Sequence, residues 1–117
     1  MKGRGLILFG CGGHGRVVLD AALAQGLRVV GIADPGLAPG TLALGVPVVD
    51  PGAENETGGF HGFLNGVGAN PQTAKRRAVF EQHASLAYAP ALIHPSAICG
   101  REIVFGRGAQ VMAGTVI

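Results

Sequence analysis

From position 93 to the C-terminus every sixth residue is apolar: Ile93, Cys99, Phe105, Val111 and Ile117. Four positions after each come Ala97, Ile103, Ala109 and Thr115, mostly small, and glycine follows directly at Gly100 and Gly106. A helix repeats at 3.6 residues and a strand at 2, so a rhythm of six suits neither. It suits a coil in which each hexad forms one face of a three-sided prism. The first residue of each hexad points into a narrow core, the small one packs beside it, and glycine takes the corner. Three hexads close one turn, so residues 93–117 hold one full turn and about a third of the next. Such solenoids bury their core by stacking, normally over three or more repeats with a cap. This run ends on the apolar GTVI, so the expectation is a truncated version of a longer protein. An open coil also exposes strand edges and the side chains of Phe105, Val111 and Ile117, which predicts dimers or higher assemblies, including exchange of C-terminal strands.

The chain before position 93 has a different pattern. Leu6 to Phe9 is a four-residue apolar run ending in glycines, the signature of a buried parallel strand. A helix should follow, with Val17, Val18, Ala21, Ala22 and Leu23 on one broad face and Gly26 as its stop. Arg28 to Asp34 reads as a second apolar strand closing on an acid, broken by Pro35 and Gly36. Together these form a βαβ unit of about 30 residues. Residues 35–59 are rich in Pro and Gly, with Val46 to Val49 as a short edge strand interrupted by Pro47. Phe60 to Gly68 reads as another strand, and Asn70-Pro71 opens a helix running to about Ser85. That helix should turn Ala74, Ala78, Val79 and Phe80 inward and its basic triplet Lys75, Arg76 and Arg77 mostly outward. A last strand near Ala89 to Ile93 completes a small parallel sheet. The fold class is α/β: a small Rossmann-like domain over residues 1–92, followed by the start of the six-residue coil over 93–117.

Composition excludes several classes. The chain has 117 residues, a single-domain size, and no apolar run near the roughly 18 residues needed to cross a bilayer. Nine basic residues against seven acidic ones give a net charge of +2, and only the triplet clusters, which argues against nucleic acid. The first apolar stretch breaks after four residues, too short for a signal peptide. Cys11 and Cys99 are far apart and form neither a disulfide framework nor a four-ligand zinc site, so no metal is expected and a reducing, cytoplasmic setting is the default.

Chemistry concentrates in GCGGHG at Gly10 to Gly15, a G-x-G-x-x-G between a strand and a helix. Glycines there let the backbone approach a pyrophosphate, and the free amides of the first helical turn attract its charge. Asp34 ends the second strand, where an acid accepts hydrogen bonds from a ribose or a base. The competing reading is a turn that merely packs helix on strand. His14, at the helix N-terminus, reads as a neutral hydrogen-bond donor rather than a cation. Cys11 has no neighbouring base in sequence and reads as a small buried residue. His94 reads as a hydrogen-bonded corner at the coil's entry, and the basic triplet as a solvated helix face.

The joint pattern of GCGGHGRVVLDAALAQG, ADPG, GANPQTAKRRAVFE and IHPSAICGREIVFGRGAQVMAGTVI is similar to the NeuD/PglD family of sugar acetyltransferases of the sialic-acid and bacillosamine pathways, over essentially the whole chain. The resemblance implies a Rossmann-like domain that binds a nucleotide-linked amino-sugar. It implies next a left-handed parallel β-helix that binds acetyl-CoA, in a trimer with active sites between neighbours. Carried over, the glycine turn at the sugar nucleotide's phosphates is Gly12, Gly13, His14 and Gly15. Asp34 contacts the nucleoside end, where members often carry two acids and this chain has Asp34 then Pro35. Asn70 matches another position lining the nucleotide pocket. The family's general base, a histidine with an acid beside it, comes about one coil beyond MAGTVI, so it is expected outside this chain. The resulting reading is the N-terminal part of an acetyl-CoA-dependent N- or O-acetyltransferase acting on a UDP- or CMP-linked sugar. The alternatives are an NAD- or CoA-binding module and a non-enzymatic assembly domain.

Overall fold

The computed structural model of the protein describes residues 5–53, 60–68, 74–82 and 87–117. Four strands, β1 (Leu6–Phe9), β2 (Val29–Ala33), β5 (Gly62–Asn65) and β6 (Ala87–Tyr88), form one parallel sheet in the order β2-β1-β5-β6. All four residues of β1 are buried. This follows from covering a central parallel strand on both faces, and the side chains divide by alternation. Leu6 and Leu8 join the cluster beneath helix α1 (Gly13–Gln25), with Val18, Leu19, Ala22 and Ile32. Ile7 and Phe9 join Phe63 on the opposite face, beneath helix α2 (Ala74–Gln82), against Val79 and Phe80. Phe63 sets its ring edge-on to Phe9 at 5.7 Å and to Phe80 at 6.0 Å.

Helix α1 ends at Gly26, whose φ of 88° places it in the left-handed region and whose amide returns to the last turn. Its buried face differs from the expected one. Leu19 is fully buried, whereas Val17 and Leu23 are exposed. In the run Val17-Val18-Leu19 three adjacent apolar residues compete for one face, and the sheet takes the last two. In α2, Ala74 is exposed and Arg76 is partly buried, contrary to expectation.

Between β2 and β5 a two-residue hairpin joins β3 (Leu42–Ala43) to β4 (Val46–Pro47), antiparallel, through Leu44 and Gly45, both at positive φ. Val48 then bridges to Ile32 in parallel, and the Val49 amide donates to the Ile32 carbonyl at 2.8 Å. The expected edge strand at 46–49 is therefore split between hairpin and sheet.

The expected strand at 89–93 is also split. The Ala89 amide still bonds the Phe63 carbonyl at 3.0 Å, but Pro90, with no N–H, ends that ladder. Leu92 and Ile93 form β7 (Leu92–Ile93) and pair in parallel with β8 (Gln110–Val111). Leu92 lies opposite Gln110 and Ile93 opposite Val111, an offset of 18 residues. The bridge from Ile98 to Val116 has the same offset. A constant 18 is three hexads, so the six-residue rhythm appears as a chain that returns over itself once every three hexads. Two details differ from the sequence reading. The left-handed corner falls at Glu102, Gly108 and Gly114, again six apart, not at Gly100 and Gly106. Val111, which an open coil is expected to expose, is buried, whereas Ile117 is 53 % exposed, in line with that expectation.

This tail is joined to the sheet domain. Leu92 is wholly buried in the cluster beneath α1. Gln25, the last residue of α1, donates to the Ala91 carbonyl at 3.3 Å and accepts from the Ile93 amide at 2.9 Å.

Candidate functional site

In the order β2-β1-β5-β6 the chain crosses from one side of β1 to the other, so the connections after β1 and β5 diverge and leave a crevice at the strands' carboxyl ends. A cleft of about 910 Å³ lies there, lined by Gly10, Gly12, Gly13 and His14 after β1, Asp34 and Pro35 after β2, and Gly66 to Gly68 after β5. Leu37, Pro39, Val49 and Asp50 line it from the hairpin segment, and Lys75 and Val79 from α2.

The glycine turn is forced by close approach. Gly10 has φ +88°, and a Cβ on Gly15 would run into the carbonyl oxygen of Gly10 with the Gly66 carbonyl next to it. Gly12 and Gly13 face open space instead. Gly12 is the N-cap of α1 and supplies no side-chain cap. The first-turn amides, left over by any helix start, therefore open on the cleft, and the helix dipole gives that end a partial positive charge.

His14 lines the cleft, and its Nε2 is buried without a hydrogen-bond partner among the described residues. A buried ring nitrogen in that state is costly and is a natural partner for a polar ligand.

Asp34 is engaged by backbone. One carboxylate oxygen accepts from the Cys11 amide at 2.8 Å and the other from the Gly36 amide at 2.8 Å. The acid thus ties the glycine turn to the end of β2, and the remaining lone pairs are what it can offer a ligand. Cys11 is buried, and this burial pushes its thiol above its ordinary 9.0; the Arg16 charge opposes the shift and the Asp34 charge reinforces it. A thiol so disposed is a poor nucleophile.

Of the residues expected at the site, the structure gathers Gly12, Gly13, His14 and Asp34 around one cleft, with Gly15 packed immediately behind them. Asn70 lies outside the described residues. Asp50 lines the cleft although the sequence pattern gives it no place there; Lys75 lines it as one member of a triplet that reads as a solvated helix face, with a phosphate contact as the alternative. The other described histidines have structural partners. His61 accepts from the Gly5 amide at 3.0 Å. His94 accepts from the Ser96 amide at 3.0 Å, and the Ser96 hydroxyl lies 2.9 Å from the same nitrogen. No described helix is long and apolar enough to cross a membrane.

The PglD N-terminal domain model matches residues 5–82, the span that builds this cleft. The chain belongs to the PglD N-terminal domain family. No curated protein matches it in sequence. Among solved structures, a variant of perosamine N-acetyltransferase from Caulobacter crescentus, in complex with CoA and GDP-perosamine, is similar at 31 % identity and a TM-score of 0.78. The acetyltransferase domain of PglB from Neisseria gonorrhoeae FA1090, in complex with acetyl coenzyme A, is similar at 33 % identity and a TM-score of 0.76. Both likenesses cover 97 % of this PglD-family chain, which spans 53 % of the first protein and 55 % of the second.

Proposed function

We propose that this chain is the sugar-nucleotide-binding front, with the first coil of the acetyl-donor region, of an acetyl-CoA-dependent N-acetyltransferase acting on a nucleotide-linked amino-sugar. The observation that carries the reading is the uncapped start of α1, with Gly12 and Gly13 open before it and the unpartnered Nε2 of His14 beside it, at the switch point of a parallel sheet. The phosphates sit against those amides and His14, Lys75 supplies the cation on the opposite wall, and the nucleoside runs toward Asp34 and the apolar Leu37, Pro39 and Val49.

The tail is the start of a left-handed parallel β-helix, and its 18-residue return supports that assignment. The division is a nucleotide-binding domain over 1–92 and β-helix over 93–117, with Leu92 shared, since it pairs in the coil and packs beneath α1. In the acyl transfer a general base takes the proton from the sugar amine as its nitrogen attacks the thioester carbonyl. The family resemblance puts that base beyond the MAGTVI segment; among the described residues His61 and His94 are held by backbone and serine contacts, and His14 is given to the phosphates. The chain's own part is to fix the sugar nucleotide so that its amine meets the donor. Ile98, Val104, Val116 and Ile117 are exposed on the coil and suit assembly into the homotrimer expected of the family. Two free cysteines agree with a cytoplasmic setting.

Calorimetry with UDP-, CMP- and GDP-linked amino-sugars, NAD and acetyl-CoA tests the reading. Saturable binding of at least one sugar nucleotide, in preference to NAD, is expected; NAD binding alone overturns it. The UDP and CMP arms check the sequence expectation, and the GDP arm follows the Caulobacter complex.

A further inference from the structure

One group of side chains crosses from the cleft wall to the coil. Asn65, 3 % exposed at the end of β5, accepts from the Val67 amide at 3.0 Å and donates to the Arg76 carbonyl at 2.9 Å. Arg76 donates from Nη1 to the Val67 carbonyl at 2.7 Å and lies 5.7 Å from the centre of the Phe80 ring. Both backbone polar groups of Val67 are therefore held by side chains. The same guanidinium donates from Nη2 to Oε1 of Gln110 at 3.5 Å, and Gln110 Nε2 donates to the Asn65 carbonyl at 2.9 Å. Gln110 belongs to β8, on the coil, and does not line the cleft, whereas Gly66, Val67 and Gly68 do. Gly68 in turn packs so closely that a Cβ on it would meet the His14 Cβ at 3.3 Å.

We propose that Arg76 and Gln110 are positioning residues through which the coil sets the Val67–Gly68 wall of the cleft, so that affinity for the sugar nucleotide depends on a contact made outside the site. This rests on the reading of the cleft given above. Charge-assisted bonds from a planar guanidinium fix direction as well as distance, which suits it to hold a strap of backbone. The coupling is reciprocal: ligand in the cleft steadies the β7–β8 pairing by the same factor.

Gln25 provides the control, since it also fastens the coil to the sheet domain but through the far end of α1. Calorimetric Kd values for the best-bound sugar nucleotide, measured on the full chain, should rise about fivefold in Gln110→Ala; the variant loses two hydrogen bonds, and about one bond's worth reaches the cleft through Arg76. Arg76→Lys should weaken binding by at least as much, and the double variant should be no worse than the weaker single, because the two residues act as one unit. Gln25→Ala should lower the melting temperature and leave Kd unchanged. An unchanged Kd in Gln110→Ala, or an equal loss in Gln25→Ala, overturns the proposal while leaving the function reading intact. A wild-type chain that binds no sugar nucleotide overturns both. Should a variant fail to fold, hydrogen exchange on the unmodified chain decides: saturating sugar nucleotide should slow the amides of Leu92 and His94, and unchanged exchange there overturns the coupling.

Discussion

The sheet domain and the coil reach burial by different routes. In the sheet domain the neighbouring strands β1 and β5 are enclosed on both faces and every one of their residues is buried. In the coil only Leu92 and Val111 are buried, while Ile98, Val104 and Val116 remain 65 %, 93 % and 72 % exposed. Stability therefore resides in the sheet domain and the surface for association in the coil. A doubly covered sheet closes its own core, whereas a single return of the coil buries little by itself and leans on its neighbour.

The contrast is sharpest in large-to-small substitutions. Phe63→Ala, at the centre of the aromatic cluster, should cost about 3–5 kcal/mol in chemical denaturation. Val111→Ala in the coil should cost only about 1.5 kcal/mol, from the two carbons removed. Equal losses would show that the coil shares the sheet domain's cooperative core to a degree its burial does not suggest.

Glycines give the next largest effect. Gly15→Ala drives a methyl into the Gly10 carbonyl and should destabilise by about 3 kcal/mol, the upper range for overpacking. Gly114→Ala meets no atom within 4 Å and only the strain of φ +75°, so about 1 kcal/mol is expected. Thermal melts of the two variants check the order.

At the cleft, His14→Ala should weaken sugar-nucleotide binding roughly tenfold with little change in melting temperature, because its ring nitrogen has no partner to lose. A lowered melting temperature with unchanged Kd would assign His14 to packing instead.

The smallest effect is on pH dependence. The folded Cys11 pKa lies above its ordinary 9.0, so the fold favours the neutral thiol; its contribution is complete below pH 9.0 and is lost as pH rises through the folded value. Urea midpoints of the wild type should therefore fall relative to Cys11→Ala only on the alkaline side. Iodoacetamide should reach half-buried Cys99 of the coil before Cys11.

How much of this could be read beforehand follows the same division. Where a local rule decides, sequence and structure coincide: β1 is the apolar run, Gly26 stops α1, and the hexads return as a constant offset of 18. Long-range choices stayed hidden. Nothing local distinguishes Val17 from Leu19 until the sheet selects a face, and Arg76 turns inward because the Val67 carbonyl, the Phe80 ring and Gln110, 34 residues away, meet it. Asp34 follows β2 and lines the cleft, yet its bonds to Cys11 and Gly36 depend on the path of two separate turns. The corner at Glu102, Gly108 and Gly114 is not marked by a regular glycine, because its first member is a glutamate.

Leu92 belongs to the coil's first pairing and to the cluster beneath α1. A chimera that exchanges one half of this molecule for a foreign counterpart must therefore bring a matching tenant for that one socket. Crossovers placed just before the proline at 90 would mismatch it, and shuffled libraries should accept joints there only when α1 travels with its tail.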